Sequence, residues 1–509
     1  MRVMPGAGPT IAAAVVITLL GACAGSPTLP DGPDCAHATS DGLQAVFEQV
    51  SDGELAEAYP KLTTIIGCPQ FGQLESALRH SALVVAGFVA MDLDQPAEGH
   101  SLLVRSSAMP EADADDWIGR LESARRLGLR EDAIESLTEL ARRYPEALHE
   151  LNYRAVLEVV RFGGNLAAPD SAMHELLDSL FTAAWTLPDG IQPSFLWRDL
   201  AAIELERQNP GRAQEVVGRV QSPHAIVGMR TDRRFDPLRA AMPRNFDVDG
   251  AVASELLTLY EIVQGTPRSM DAHVQLTYAL LDARRYEDVL EITEYVLRRI
   301  EAASGTQAPY DDMDKVVWIL DNRARALAAL QRWGEAEAHL RAAAQGREDG
   351  SPNVSHVINL AWFYAEAGRG NEALATLREV GPDMSPYGFM QMHGARHAAA
   401  LQAGDSAIAE ESFAYLRKHQ DDALETWQWA LVRENLLDEA AALLIERLGD
   451  PAKRGDALRG LQDYSNPPPA SQRAVWDARW AEIRDREDVQ AAVDAVGRIE
   501  SFGIAQPGN

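Results

Sequence analysis

The chain of 509 residues reads as an all-α protein, a solenoid of antiparallel helix hairpins, and three observations predict this. From about Asp41 onward apolar residues recur at three- and four-residue spacing, the period of a helix with one buried face. Period-2 alternation, the mark of a half-buried strand, is nearly absent. A phrase also recurs along the chain: an amphipathic helix, a short turn marked by Gly or Asn, an aromatic or small residue, an acidic residue, and a second helix.

Residues 1–22 read as a signal segment. Arg2 is the one charged side chain, and the apolar run from Ile11 to Ala22 is too short to span a bilayer. The run ends in Leu20-Gly21-Ala22-Cys23, which resembles the lipobox of bacterial lipoproteins. That resemblance implies cleavage before Cys23, diacylation of its sulfur and acylation of the new amine. Ala24 after the cysteine implies sorting to the outer membrane, facing the periplasm, in a Gram-negative cell. Two or three acyl chains anchor stably, because each buried methylene contributes roughly 0.8 kcal/mol. Residues 23–36 then form a tether, whose stretch AGSPTLPDGPD from Ala24 to Asp34 is too rich in Pro and Gly to sustain a helix.

Composition places a large folded body behind this tether. With 46% hydrophobic and 24% charged residues, and no later apolar run of membrane-spanning length, the remainder can bury a core and face water. The formal net charge of -29 argues against nucleic acid and anionic headgroups as partners, since both require basic surface. Cys23 accounts for one of 3 cysteines, which leaves Cys35 and Cys68 as a pair for a structural disulfide in an oxidising compartment. Two free buried thiols are the alternative. Zinc is disfavoured, because only the lone Cys35-x-His37 has ligand spacing.

Residues 37–221 carry the first helical repeats. In DWIGRLESARRLGLREDAIESLTELARRYPEAL, Trp117, Leu121, Ala124, Gly128, Ala133, Leu137, Leu140 and Pro145 fall at the spacing of a tetratricopeptide repeat, which this unit resembles. Another copy holds Trp197, Leu200, Ala201 and Ala213. Residues 222–250 interrupt the phrase with Pro, Gly and charge, and read as an irregular linker between two halves. Within them, RRFDPLR from Arg233 to Arg239 is similar to segments of uncharacterised exported tetratricopeptide proteins, as is REDVQAAVDAVGRI from Arg486 to Ile499.

Residues 251–462 carry the second set. The equivalent small residues Val289, Ala336, Ala373, Ala409 and Ala440 are separated by 47, 37, 36 and 31 residues. A tetratricopeptide unit is about 34 residues long, and Ala302 to Asp312 accounts for the long first step. A hairpin cannot bury its apolar face alone, so each stacks on the next, and small residues let the second helix approach the first. Residues 463–509, set off by Asn466-Pro467-Pro468-Pro469 and carrying Trp476 and Trp480, read as helices capping the exposed end.

Catalytic motifs are missing from the sequence: no phosphate loop, no H-E-x-x-H, no G-x-S-x-G and no C-x-x-C. His149-Glu150 and His174-Glu175 each lack a second histidine one turn on. Asn245-Phe-Asp247-Val-Asp249-Gly250 mimics the start of a calcium loop, but Leu256 stands where the closing carboxylate belongs. Glu411-Ser412-Phe413 resembles the start of a lytic transglycosylase motif, yet lies inside a repeat helix. No cofactor or metal is implied.

A repeat array presents a groove. Resemblance to peptide-binding repeats maps its lining to the first helix of each hairpin, here Gln275 and Tyr278, Asn322 and Arg325, and Asn359 and Trp362. The members of each pair are three residues apart and share a helix face. Amides and an arginine suit backbone or carboxylate capture, and Tyr278 and Trp362 suit an apolar anchor. The reading is a lipid-anchored scaffold that binds a protein or peptide partner at the cell envelope. A cell-wall or glycan enzyme, or a module for polysaccharide or small ligands, is the alternative.

Overall fold

A computed structural model describes residue 35 and residues 39–163, 169–303, 308–348, 351–381 and 384–506. The expected signal segment, the lipidation site Cys23 and the tether up to Asp34 lie outside the described residues. The described chain is all-α, a solenoid of tetratricopeptide-like hairpins, with 26 helices. Strand structure among the described residues amounts to two short ladders, antiparallel 347–348 with 351–352 (β1, β2) and parallel 463–464 with 501–502 (β3, β4). The helices divide between two compact units that meet at Ile191 and Gln192. The expected boundary at 221/222 is displaced, because residues 222–250 are not a linker.

The first unit contains α1 (Ser40–Ser51), α2 (Leu55–Gly67), α3 (Ser76–Asp92), α4 (Pro96–Ser107), α5 (Ala114–Leu127), α6 (Arg130–Arg143), α7 (Tyr153–Gly163) and α8 (Pro169–Thr182). The tetratricopeptide-like phrase read from Trp117 becomes the hairpin α5–α6. Asp113 and Asp116 cap α5 reciprocally, and Gly128 at φ 69° ends it in the left-handed region that glycine enters without strain. Ala124, Ala133, Leu137 and Leu140 are fully buried. His80 on α3 reaches Asp116 on α5 at 2.9 Å, both buried. Burial works against the imidazolium, but the Asp116 carboxylate outweighs it and raises His80 above its ordinary value. Cys35 and Cys68 are joined by a disulfide at the end of α2, beside the core of Leu43, Phe47 and Leu62. A bridge over this loop contributes roughly 3–4 kcal/mol by restricting the unfolded chain.

The second unit begins with α9 (Ser194–Glu206), α10 (Pro210–Val217), α11 (Pro223–Thr231), α12 (Asp236–Ala241) and α13 (Val248–Gly265). Four hairpins follow: α14 (Met270–Asp282) with α15 (Tyr286–Glu301), α16 (Val316–Ala329) with α17 (Trp333–Gln345), α18 (Val354–Glu366) with α19 (Gly370–Leu377), and α20 (Pro386–Ala403) with α21 (Ser406–Lys418). A fifth pairs α22 (Leu424–Arg433) with α23 (Leu437–Gly449), and α24 (Pro451–Gly460), α25 (Ser471–Arg484) and α26 (Glu487–Val496) end the chain. Each turn inside these five hairpins turns on one residue of positive φ: Arg284, Gln331, Gly368, Gly404 and Asn435. They recur at the 47, 37, 36 and 31 residue steps of the small residues, of which Val289, Ala336, Ala373 and Ala440 are fully buried.

The unit closes on itself. Residues 222–250, expected as a linker, fold into α11, α12 and the start of α13, with Ile226, Met229, Phe235, Leu238 and Phe246 buried. The terminal residues, expected only to cap an open end, return to this first segment. Glu500 accepts from Arg230 at 2.5 Å and Arg239 at 3.0 Å, and Arg498 grips Asp236 at 2.6 Å. The Arg498 amide donates to the Thr231 carbonyl, and Arg233 donates to the carbonyl of Gly497. The two segments similar to exported tetratricopeptide proteins therefore bind each other. A second clasp lies beside this one, where Arg198 of α9 runs between Gly228 of α11 and Gly455 of α24, so close that a side chain at Gly228 would meet its Cδ at 3.1 Å. Its guanidinium reaches Asp199 at 2.7 Å and Asp456 at 3.2 Å.

The tail also reaches the mouth of the first hairpin. The Ala505 amide donates to the Asp282 carbonyl at 2.8 Å, and the Asp282 carboxylate lies 3.2 Å from His224 of α11. Nearby Glu255 on α13 is pushed up to about 7, chiefly by burial and then by the charge of Asp282.

Two expectations follow. Replacing Arg198 with Ala removes packed methylenes and one ion-pair partner of the half-exposed Asp199 and Asp456, so chemical denaturation should show a loss of roughly 1–2 kcal/mol. A loss within about 0.5 kcal/mol, as for an ordinary surface change, contradicts the clasp. For Glu255 the folded state holds its proton to a higher pH than the unfolded chain, so its own contribution to stability is greatest below the ordinary carboxylate range and is lost as pH rises to about 7. Stability at acid pH relative to neutral pH should therefore be higher in the natural protein than in Glu255→Gln, and an identical difference refutes the assignment.

Candidate functional site

Of the first helices α14, α16, α18, α20 and α22, the first three carry the positions expected to line a groove. Each lies next to others of its kind because the second helices stack behind it, which leaves one layer of first helices on the side away from them. The structure divides the six expected residues into two groups and removes one.

Asn322 is the residue removed. Its side chain is fully buried and donates to Thr277 Oγ1 at 2.9 Å, so it joins α16 to α14 and lines no groove. The spacing rule placed it on the correct side of α16, but that side is where neighbouring first helices touch. A buried amide there is held by the hydroxyl of the small residue opposite.

Tyr278, Arg325 and Asn359 form the first group, with Gln275 half-buried on α14. Buried Asp321 is their centre: Arg325 Nε donates to it at 2.7 Å and Asn359 Nδ2 at 3.0 Å. The Arg325 guanidinium lies 5.8 Å from the centre of the Tyr278 ring. Asp321 holds Arg325 above even its ordinary range. Burial pushes the adjacent His356 down to about 4, so this imidazole is neutral and stacks edge-on against Trp318. These charges satisfy one another, and Arg325 is committed to Asp321.

Trp362 belongs to a different arrangement. Its ring lies 4.5 Å from the Arg433 guanidinium carbon at the end of α22, and the rings of Trp476 and Trp429 lie 4.9 and 5.9 Å from the same atom. Arg433 Nε and Nη1 are buried without a hydrogen-bond partner. Burial, then the charge of Arg473, push Arg433 down to about 9, and three aromatic faces add to the attraction of the Glu366 carboxylate.

Trp476 reaches this cage from α25, which packs on the first helices α18 and α22 and on the second helix α23. Arg473 bonds Glu366 of α18 at 3.2 Å and its own Asp477 at 2.8 Å, and its guanidinium faces Trp429. Arg479 Nη1 donates to the carbonyls of Val432 at 3.1 Å and Arg433 at 2.7 Å, at the C-terminal end of α22. Trp480 packs on Trp429 with ring centres 5.3 Å apart. Ahead of the helix, the Pro468 carbonyl accepts from Gln331, and Ser471 donates to the Ala367 carbonyl. Trp429, Arg433 and the α25 side chains were missed in the sequence. Trp476 and Trp480 at helical spacing did mark an apolar face, though not what it covers.

Other candidate positions resolve into structure. Asp247 caps α13 by accepting from the Gly250 amide at 3.1 Å, and Leu256 is buried. Glu411 pairs with Arg396 at 3.0 Å. Among the described residues no group of three or more His, Cys, Asp or Glu is placed to hold a metal ion, and no helix is long and apolar enough to cross a membrane. A hollow of about 400 Å³ lies beside short α19, lined by Leu374, Leu377, Phe389, Met392 and Ile408.

No protein-family model matches the sequence, and comparison with curated proteins gives no match. Among solved structures, the chain is similar to one in the crystal structure of the APC/C hetero-tetramer Cut9-Hcn1, with 13% identity over 90% of this chain and 77% of that chain and a TM-score of 0.32. It is also similar to one in the structure of Naa15/Naa10 bound to HypK-THB, with 13% identity over 95% of this chain and 73% of that chain and a TM-score of 0.25. Likenesses this distant add nothing to the fold that the order of helices itself displays.

Proposed function

We propose that the protein is an exported, lipid-anchored scaffold whose helical repeats bind a protein or peptide partner at the cell envelope. One observation carries the binding half of this reading: the second unit already receives a polypeptide helix, its own α25, on α18, α22 and α23 through aromatic faces, a carboxylate and carbonyls at a helix end. Those are the groups that recognise peptides generally, and nothing about them requires the guest to belong to the same chain. The anchoring half rests on the likeness of Leu20-Gly21-Ala22-Cys23 to a lipobox.

Both halves are open to one experiment in cells. A photo-crosslinking residue placed at Gln275, which is half-buried on the first-helix layer, should join the natural protein to one protein species in the membrane fraction. Cys23→Ser should move the folded protein out of that fraction and abolish the crosslink. Retention of Cys23→Ser on membranes contradicts the anchor. Glycan turnover by the purified protein, without any crosslinked species, contradicts the scaffold and supports the enzyme.

A further inference from the structure

Of the side chains of α25, Trp476 and Ile483 are buried, Ile483 in the same core around Leu444 and Leu448 that takes Val489 and Val493 of α26, and its other contacts are made by arginines and the half-buried Trp480. Three prolines, 467–469, precede α25, so no helix continues into it from β3. Both ends of the intervening stretch are fixed, at β3 through its pairing with β4 and at α26 through its apolar face. Residues 465–486 are therefore a strap held at both ends and laid over α18, α22 and α23.

The strap presents one face. Arg473, Trp476, Trp480 and Ile483 follow at steps of three, four and three residues, the spacing of a single helical stripe, with Arg479 at its edge. What lies beneath complements that stripe in charge as well as shape. The C-terminal end of α22 offers the negative pole of a helix and the carbonyls of Val432 and Arg433, Glu366 offers a carboxylate, and Trp362 and Trp429 offer aromatic faces. The surrounding chain carries a net charge of -29, which draws in basic segments from a distance.

We infer that the Trp362–Trp429–Glu366 surface is a binding site for an amphipathic helix bearing arginine and tryptophan on one face, and that α25 occupies this site in cis until a partner of that kind displaces it. The inference rests on the scaffold reading above and adds to it the place, the chemistry of the guest and the means of control. Without a guest, the buried Arg433 guanidinium loses the Trp476 face and keeps Trp362, the more distant Trp429 and the charge of Glu366.

The probe is a synthetic peptide of residues 468–486, added to the full-length protein. In Trp476→Ala/Arg479→Ala the strap loses its two central contacts, and this variant should bind the peptide at least about tenfold more tightly than the natural protein does, because its site is open for a larger fraction of the time. A peptide carrying the same two substitutions should not bind. Equal binding to both proteins, or binding to neither, overturns the inference. Far-UV circular dichroism checks the fold of the variant, and Arg479→Ala alone serves in its place if helical content falls, with the same two outcomes. If the peptide fails here while a partner is crosslinked in cells, only the site and its control are wrong. If no partner is found in cells, the scaffold reading itself falls.

Discussion

The second unit depends on a return of the chain: residues 497–505 come back to the segment 223–246 and are held there by Glu500 between Arg230 and Arg239, by Arg498 on Asp236, and by backbone bonds at Thr231 and Gly497. An open array of hairpins has two apolar ends, each needing a cap, and each free to fray. Joining the ends removes both problems at the expense of burying charge. Each of these charges is paired, and arginine suits the task because its planar fork bonds a carboxylate and a carbonyl together. Arg198, threaded between two glycines, adds packing to the same closure.

Closure has a consequence for binding. The segment between α24 and α26 contains α25, which packs across α18, α22 and α23. The aromatic cage around Arg433 then belongs to a strap as much as to a core. A surface expected to stand open to partners is instead matched by the chain itself, with a tryptophan and two arginines supplied from one helix.

What the sequence disclosed follows from how far apart the interacting residues are. Helix hairpins are local, so the buried positions from Val289 to Ala440 were legible through their spacing, and the positive-φ residues Arg284 to Asn435 repeat the same steps. The disulfide was legible because only two cysteines remained to pair, and Cys35 and Cys68 are joined. Closure was not legible, since Arg230 and Glu500 are 270 residues apart and neither stands in a pattern that names its partner. Within the site, periodicity found the correct helices and faces. It could not distinguish Asn322, turned toward a neighbouring first helix, from Trp362, turned toward the strap, because both choices share one helical phase. Arg433 was hidden as an ordinary basic residue in a last helical turn.

The most direct measurement is native-state hydrogen exchange followed segment by segment in the full-length protein. If the second unit is closed, the amides of α11 and α26 are protected to the same free energy and open together, despite lying at opposite ends of its sequence. If the unit is an open array, α26 exchanges well before the central hairpins and independently of α11, and the closure described here is wrong.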